Sequence, residues 1–214
     1  MAITHAFKGI LESSRGDPAG ARAAAEVLID VSEEHALEFF LAVGRVFSSW
    51  ARARLLGSQA SSAELERALS DYMAAGNRMG APLFLGLLAE VEAAMGNPDR
   101  ALGQIGEGLT IAEETGERYT DSFLHRVRGD ILLRRDPLNP APAEDAYRTA
   151  IGIAKEQDAR SYGLHAALSL AKLYQSTARP AEAQAVLAPA FEGFSPTPEM
   201  PEIAEAQALL PRLA

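Results

Sequence analysis

The four histidines are the residues best suited to binding a metal ion, but their spacing does not favour a metal site. They are His5, His35, His125 and His165. Helical metal sites commonly place two ligands at i and i+4, as in HExxH, and no such pair occurs here. His5 and His125 each lie four residues before a glycine, Gly9 and Gly129. This recurrence favours a packing role, so we expect neither a metal nor a cofactor.

Other groups that could support catalysis also lack the required pattern. The sequence contains no GxxxxGK[ST] phosphate loop. Gly103, Gly106 and Gly108 have the wrong spacing for a dinucleotide fingerprint and fall in a predicted helix, where close packing is the simpler interpretation. Serine pairs such as 48–49 have no base nearby in sequence and suit caps or turns. Carboxylate pairs such as 33–34 are typical of solvated helix faces. The sequence therefore indicates a non-enzymatic protein, with an enzyme of unrecognised type as the remaining alternative.

The composition of the chain limits the classes of partner that it is expected to bind. The chain has 214 residues, a net charge of −9 and no cysteine. An acidic chain without a Lys/Arg stretch argues against nucleic-acid binding. The N-terminal segment lacks signal-peptide features, and the most apolar run, 81–89, is about half the ~20 residues needed to cross a bilayer. We expect a cytoplasmic protein with no membrane partner, and the absence of cysteine fits a reducing compartment.

Small residues recur with a period of about 40 residues, which is the strongest structural signal in the chain. The small residues are Gly9, Ser49, Ala89, Gly129 and Ala171, and a second series with the same period consists of Leu28, Ala68, Gly108, Ala150 and Ala190. Each series has one step of 42 rather than 40, which places a two-residue insertion in the proline-rich segment 136–142. Two further series have the i, i+4 spacing of a buried helical stripe. They are Ala25, Leu65, Ile105, Tyr147 and Leu187, and Ile29, Leu69, Leu109, Ile151 and Phe191.

Turn signals divide each repeat into two helices. We predict helices near 2–15, 18–35, 37–56, 61–78, 81–95, 98–115, 119–135, 142–157, 160–177 and 180–192, then a helix near 200–210 that Pro211 ends. Asp17 and Asn97 are predicted N-caps because each precedes a proline. Ser61 and Glu64 have capping-box spacing. Helix stops are predicted at Gly76, Gly80 and Gly116.

The third repeat resembles the tetratricopeptide pattern. It contains Leu88-Ala89, Gly96-Asn97-Pro98, Ala101-Leu102, Ile105 and Gly108-Leu109. The resemblance implies an all-α fold, a right-handed α-solenoid of five antiparallel hairpins plus a C-terminal capping helix, with helices longer than the usual ~34-residue period allows. We expect one domain over 1–214, with units at approximately 1–36, 37–79, 80–117, 118–158 and 159–194 and the capping helix at 200–210.

A narrower resemblance concerns the stretches 82–90, 114–118, 124–133, 159–161 and 166–171. They are similar to the C-terminal repeat region of bacterial regulators that join an adenylate/guanylate cyclase or DNA-binding domain to an ATPase. This resemblance implies a role in bacterial signalling. It leaves open whether the chain is part of a longer protein.

The tetratricopeptide resemblance also implies a concave groove lined by the first helix of each pair. Four positions on each first helix share one face. They are the residue three before the small residue and the residues one, four and five after it. The predicted groove residues are Trp50, Arg54, Glu90, Arg126, Asp130, Arg134, Lys172 and Gln175. The cations in the later units favour an acidic peptide or a carboxylate, the alternative being a solvated face with local ion pairs. Trp50 suits core packing and ligand contact equally.

The predicted function is a protein-protein interaction or scaffolding module that binds a peptide, a protein or a neighbouring domain in this groove. The alternative is a small-molecule sensor domain of a cyclase, ATPase or transcriptional regulator. The first helix has no capping helix before it, so the N-terminal end is a candidate homodimer surface.

Overall fold

The computed structural model describes residues 1–195 and 200–213, and every regular element within these ranges is helical. The α-helices are α1 (Ala2–Ser14), α2 (Pro18–Glu34), α3 (Glu38–Leu56), α4 (Gln59–Ala74), α5 (Ala81–Ala94), α6 (Pro98–Thr115), α7 (Asp121–Arg135), α8 (Ala141–Glu156), α9 (Arg160–Ser176), α10 (Pro180–Phe191) and α11 (Pro201–Leu209). A single 3-10 turn, Leu210–Arg212, follows α11 and contains Pro211. The all-α prediction is confirmed. The turn predicted over 195–200 falls mostly on 196–199, outside the described residues.

Consecutive helices pack in pairs, as the repeat predicts. The five hairpins are α1–α2, α3–α4, α5–α6, α7–α8 and α9–α10. Contacts divide the chain into two compact units, Met1–Glu117 and Arg118–Ala214, and the division falls where the sequence separates the third repeat from the fourth. In the first unit, α3 packs on α1 and α2, and α5 packs on α3 and α4. In the second unit, α9 packs on α7 and α8, while α11 packs on α9 and α10.

The repeat-related stripe on the second helices forms the centre of the core. Its five members, Ala25, Leu65, Ile105, Tyr147 and Leu187, are each at most 2% exposed. The small residues on the first helices are also buried. In the fourth hairpin the small residue lies directly against the stripe, because an atom at the Cβ position of Gly129 would lie 2.6 Å from Tyr147 Cδ1. Burial of these apolar surfaces in every hairpin is the main term that holds the repeats together.

The helix starts follow the predicted capping chemistry in one turn and differ in two others. The Asp17 carboxylate accepts hydrogen bonds from the Ala19 and Gly20 amides, both at 3.0 Å, so this N-cap is confirmed. Asn97 occupies the predicted N-cap position of α6, with Pro98 at the start of the helix, but its side chain makes no cap bond. Its amide instead donates to Glu92 Oε2 at 2.8 Å.

The predicted Ser61–Glu64 capping box is wrong, because α4 begins two residues earlier than expected. Ser58 is extended and occupies the N-cap position, and its hydroxyl accepts from the Ser61 amide at 3.3 Å. The Ser61 hydroxyl accepts in return from the Ser58 amide at 3.3 Å. Serine therefore replaces the usual Glu or Gln at the third helical position of the box.

The predicted glycine stops are correct at two positions. Gly116 ends α6 with φ 75°, and Gly76 follows the end of α4 with φ 83°. Gly80, also a predicted stop, instead precedes α5, with φ 78°. Its amide donates to the Glu117 carboxylate at 2.9 Å, which gives that N–H a partner at the start of the helix.

Substitution by alanine should distinguish glycines that close helix packing requires from glycines whose surroundings have room for a methyl group. Gly103 and Gly106 lie in α6, and a methyl group added at either would meet no atom within 4 Å, so Gly103→Ala and Gly106→Ala should each stabilise the chain by about 0.5–1 kcal/mol. Gly129→Ala should cost about 1–3 kcal/mol, because its methyl would overlap the buried Tyr147 ring. Urea unfolding measures all three. Stabilisation by Gly129→Ala would show that α7 and α8 do not pack this closely.

None of the described helices is both long enough and apolar enough to span a bilayer.

Candidate functional site

The predicted groove residues of the first compact unit, Met1–Glu117, differ in exposure. Trp50, on α3, is 1% exposed, and its indole Nε1 is buried without a hydrogen-bond acceptor among the described residues. Arg54 lies one turn further along α3 and is exposed, while Glu90, on α5, is half-buried. Of these three residues, only Arg54 is exposed.

In the second unit, the structure brings Arg126 and Asp130 of α7 together. Arg126 Nη1 lies 2.6 Å from Asp130 Oδ2, the i, i+4 arrangement of a helical ion pair. Asp130 Oδ1 accepts a hydrogen bond from the Tyr147 hydroxyl at 2.7 Å, which ties α7 to α8. Burial, reinforced by the Asp130 charge, raises the pKa of the Tyr147 phenol well above its usual range. Arg134, two turns beyond Arg126, is exposed.

The remaining predicted residues lie on α9. Lys172 Nζ lies 2.6 Å from Glu205 Oε1 of α11, and Gln175 is half-buried. Two of the three cations predicted to attract an acidic partner, Arg126 and Lys172, therefore already face a carboxylate. This reduces the positive potential that these helices offer to a ligand.

The second unit also contains a cleft that periodicity and motif spacing do not predict. It lies between α8 and α10, with α9 as its floor, and has a volume of about 440 Å³. Its lining consists of Arg148, Ile151, Gly152, Leu170, Tyr174, Glu182, Ala185 and Val186. Apolar side chains form most of the walls, and the charged groups lie toward one end, a distribution typical of pockets that bind an amphipathic ligand.

The polar end of the cleft is built around one carboxylate, which we call the Glu144 cluster: Glu144, Arg148, Tyr174, Arg179 and Glu182. Glu144 accepts from Arg179 Nη1 at 2.7 Å, from the Tyr174 hydroxyl at 2.8 Å and from Arg148 Nη2 at 2.9 Å. Arg179 also bonds Glu182, at 2.6 Å, and its guanidinium lies 4.1 Å from the centre of the Tyr174 ring. These contacts join α8, α9 and the start of α10.

Hydrogen bonds fix the charge state of this cluster. The Arg179 guanidinium, above all, lowers the pKa of Glu144 to about 2, with further help from Tyr174 and Arg148. A carboxyl that stays ionised throughout the physiological range is poorly suited to act as a general acid. The cluster is better suited to hold the cleft in shape and to present a polar rim.

Part of this site carries a sequence signal. Glu144 and Arg148 have the i, i+4 spacing of a helical ion pair, and Gly152 stands without an evident turn role in the middle of a helix. Arg179 lies 35 residues from Glu144, and only the packing of α8 against α9 and of α9 against α10 brings the two together. Before that packing is known, Arg179 is indistinguishable from an ordinary residue of the turn that precedes Pro180.

The described residues contain no group of three or more His, Cys, Asp or Glu side chains arranged to hold a metal ion. A scan against protein-family models gives no match, and a search of curated proteins gives no significant relative. The chain is therefore defined by its architecture, an all-helical protein whose helices pack in sequential hairpin-like pairs.

Proposed function

We propose that this protein is a non-enzymatic interaction module, built of tetratricopeptide-like hairpins, that binds an apolar segment of a peptide or protein partner in the cleft between α8 and α10. The observation that carries the proposal is the cleft itself. Its volume of about 440 Å³ is enough for one or two large side chains of a partner, and its lining by Leu170, Ile151 and Val186 is apolar.

The rim of the cleft supports recognition of an amphipathic segment. Arg148 and Glu182, which pair with Glu144 and Arg179 respectively, lie at its polar end with opposite charges, so polar groups that flank an apolar anchor would meet a cation on one side and an anion on the other. The Glu144 cluster restrains Arg148 and Tyr174 before any partner arrives. Restraint of this kind lowers the entropy lost on binding.

The groove predicted from the sequence remains the competing surface for the same function. Its use by an acidic peptide would require Arg126 and Lys172 to exchange their carboxylates Asp130 and Glu205 for those of the partner. Such an exchange adds little net attraction, since one solvent-accessible ion pair replaces another. The resemblance to the repeat region of bacterial cyclase–ATPase regulators supports a signalling context for either surface.

A test of the cleft uses Gly152, where an added Cβ would meet no atom within 4 Å. Gly152→Leu should fill the cleft from α8 while leaving the helix intact. Peptides selected from a displayed random library on the wild-type protein should bind Gly152→Leu at least about ten-fold more weakly, a loss of ~1.4 kcal/mol, by isothermal titration calorimetry.

The matched control is Gly103→Leu, which makes the same change at an exposed α6 position with equally open surroundings. It should leave the affinity unchanged. The triple variant Arg126→Ala/Arg134→Ala/Lys172→Ala tests the groove in parallel. If that variant loses binding and Gly152→Leu retains it, the groove is the binding surface and the cleft is not.

A small-molecule sensor is the second candidate, and the size of the cleft is the observation that favours it. A volume of about 440 Å³ lies within the ~300–1,000 Å³ typical of metabolite pockets. A thermal-shift screen against sugars, nucleotides and amino acids separates the candidates. A saturable shift that Gly152→Leu abolishes supports the sensor, and a flat response across all three classes argues against it.

A further inference from the structure

The N-terminal helix carries an apolar stripe that no other part of the described chain covers. Ile3, Phe7 and Leu11 follow one another at i, i+4 and i+8 on α1 and are 55%, 63% and 46% exposed. Val27, on the adjoining helix α2, is 40% exposed. Elsewhere in the described residues, exposed large apolar side chains occur singly or as the pair Leu55–Leu56. Among the described helices, only α1 presents a continuous row of them.

The repeat shows what this row is built to contact. One period later, its counterparts on α3 are Val43, Phe47 and Ala51, and two periods later those on α5 are Leu83, Leu87 and Val91. All six are buried, in helices that pack on the preceding hairpin. The same positions on α1 are therefore suited to burial under a pair of helices.

We propose that a second copy of the chain covers this stripe, with the two α1 helices packed antiparallel about a two-fold axis near Phe7. The stripe matches itself in this arrangement. With Phe7 on the axis, Ile3 of one copy lies opposite Leu11 of the other, so large aliphatic side chains meet on both sides of a central aromatic pair. A surface whose residue i contacts j while j contacts i is the requirement for a two-fold interface.

The size of the patch agrees with a dimer. A large aromatic side chain buries about 150–250 Å², and on that scale the exposed fractions of Ile3, Phe7 and Leu11 together leave on the order of 300 Å² of exposed apolar surface. A standard interface buries ~800 Å² per partner, of which a little over half is apolar. The exposed apolar area of the stripe therefore supplies most of the apolar centre of an interface of this size.

The other end of the chain favours a two-fold dimer over head-to-tail stacking. Helix α11 packs on α9 and α10 and buries Ile203 and Leu209 against them. His165 Nε2 lies 3.3 Å from the Glu202 carboxylate of α11, and Lys172 pairs with Glu205. The apolar face of the last hairpin is thus already covered by α11 of the same chain. The stripe on α1 of the second copy is an exposed apolar surface of the same kind, and it can cover α1 of the first copy. This interface is separate from the α8–α10 cleft and does not depend on the proposed function.

The first measurement is the mass of the full chain in solution. Light scattering at about 100 µM, where a dimer of micromolar Kd is nearly complete, should give twice the 22.8 kDa of one chain. Phe7→Glu should return the mass to that of a monomer with an unchanged circular dichroism spectrum, because the side chain is mostly exposed in the single chain. Leu55→Glu, an equivalent change at a 49% exposed position of α3, should remain dimeric.

Cross-linking tests the orientation, since the chain has no cysteine of its own. Under mild oxidation, an equimolar mixture of Ile3→Cys and Leu11→Cys should form a disulfide-linked dimer, while each variant alone should not. A monomeric wild type at this concentration, or a Phe7→Glu variant that stays dimeric, would overturn the proposed interface. Cross-linking of Ile3→Cys to itself would overturn the antiparallel arrangement.

Discussion

Replacement of Trp50 by alanine should lower the free energy of unfolding by about 3–5 kcal/mol, among the largest effects expected of any single substitution in this chain. The indole is 1% exposed and is among the largest fully buried side chains. Its neighbours along the same helical face, Val46 and Ala53, are also buried, and Ala53 is too small to fill the space left by an indole. A cavity would therefore remain and would add to the lost transfer free energy. Urea unfolding followed by circular dichroism measures the change.

Two further variants test whether the loss of stability comes from removing the buried indole. Trp50→Phe keeps most of the apolar volume and removes the indole Nε1, which is buried without a partner among the described residues, so it should cost only about 1–2 kcal/mol. Arg54→Ala, one turn away and exposed, should change stability by less than about 0.5 kcal/mol. A Trp50→Ala variant as stable as Arg54→Ala would mean that the indole is not part of the core. A ligand could reach Trp50 only after local opening of the packed helices.

The periodic part of the structure could be predicted from the sequence because burial repeats with the hairpins. Leu65 and Ile105 occupy the same place in consecutive repeats, and each is at most 1% exposed. The prediction of a turn in the proline-rich segment is confirmed, since α7 ends at Arg135 and α8 begins at Ala141. The pattern of apolar and small residues is weak evidence in any one hairpin, but it recurs in five hairpins, so the combined pattern is strong.

The polar contacts could not be predicted in the same way, because they do not repeat. Lys172, a predicted ligand contact, faces Glu205 of α11, whose docking no periodic signal specifies. Ser58 and Ser61 are serines three residues apart near the predicted start of α4, and only the backbone conformation decides which of them caps the helix. The α8–α10 cleft depends on small residues such as Gly152 and Ala185, which leave space and make few contacts. Sequence periodicity records what fills the core and carries no direct information on what remains open.

The second large effect is expected at Glu92, a carboxylate that is 1% exposed on α5. It accepts hydrogen bonds from the Ser62 hydroxyl of α4 and, at 2.8 Å, from the Asn97 amide in the turn before α6. Arg100 Nη1 lies 3.7 Å away and supplies a positive charge from the solvent side. One buried side chain thus joins three consecutive helices of the first unit, and its loss would leave two donors, Ser62 and Asn97, without this acceptor.

Glu92→Leu should therefore destabilise the chain by about 3 kcal/mol, because the buried Ser62 hydroxyl and the Asn97 amide would each lose an acceptor at ~1–3 kcal/mol. Glu92→Gln still offers Ser62 an oxygen while its own amide opposes that of Asn97, so about half of the loss should remain. Glu113→Leu, the same type of change at an exposed position of α6, should stay within about 0.5 kcal/mol of wild type.

A double-mutant cycle in urea unfolding separates the network from simple loss of charge. Once Ser62 is alanine, its hydroxyl no longer needs an acceptor, so Ser62→Ala/Glu92→Leu should be more stable than the sum of the single effects predicts, by about 1–2 kcal/mol. Replacement of both partners by apolar groups is less costly than removal of one, because no polar atom is then left buried alone. Strict additivity of the two substitutions would show that the hydroxyl and the carboxylate do not depend on each other, and would leave the packing of α4 on α5 to the apolar contacts alone.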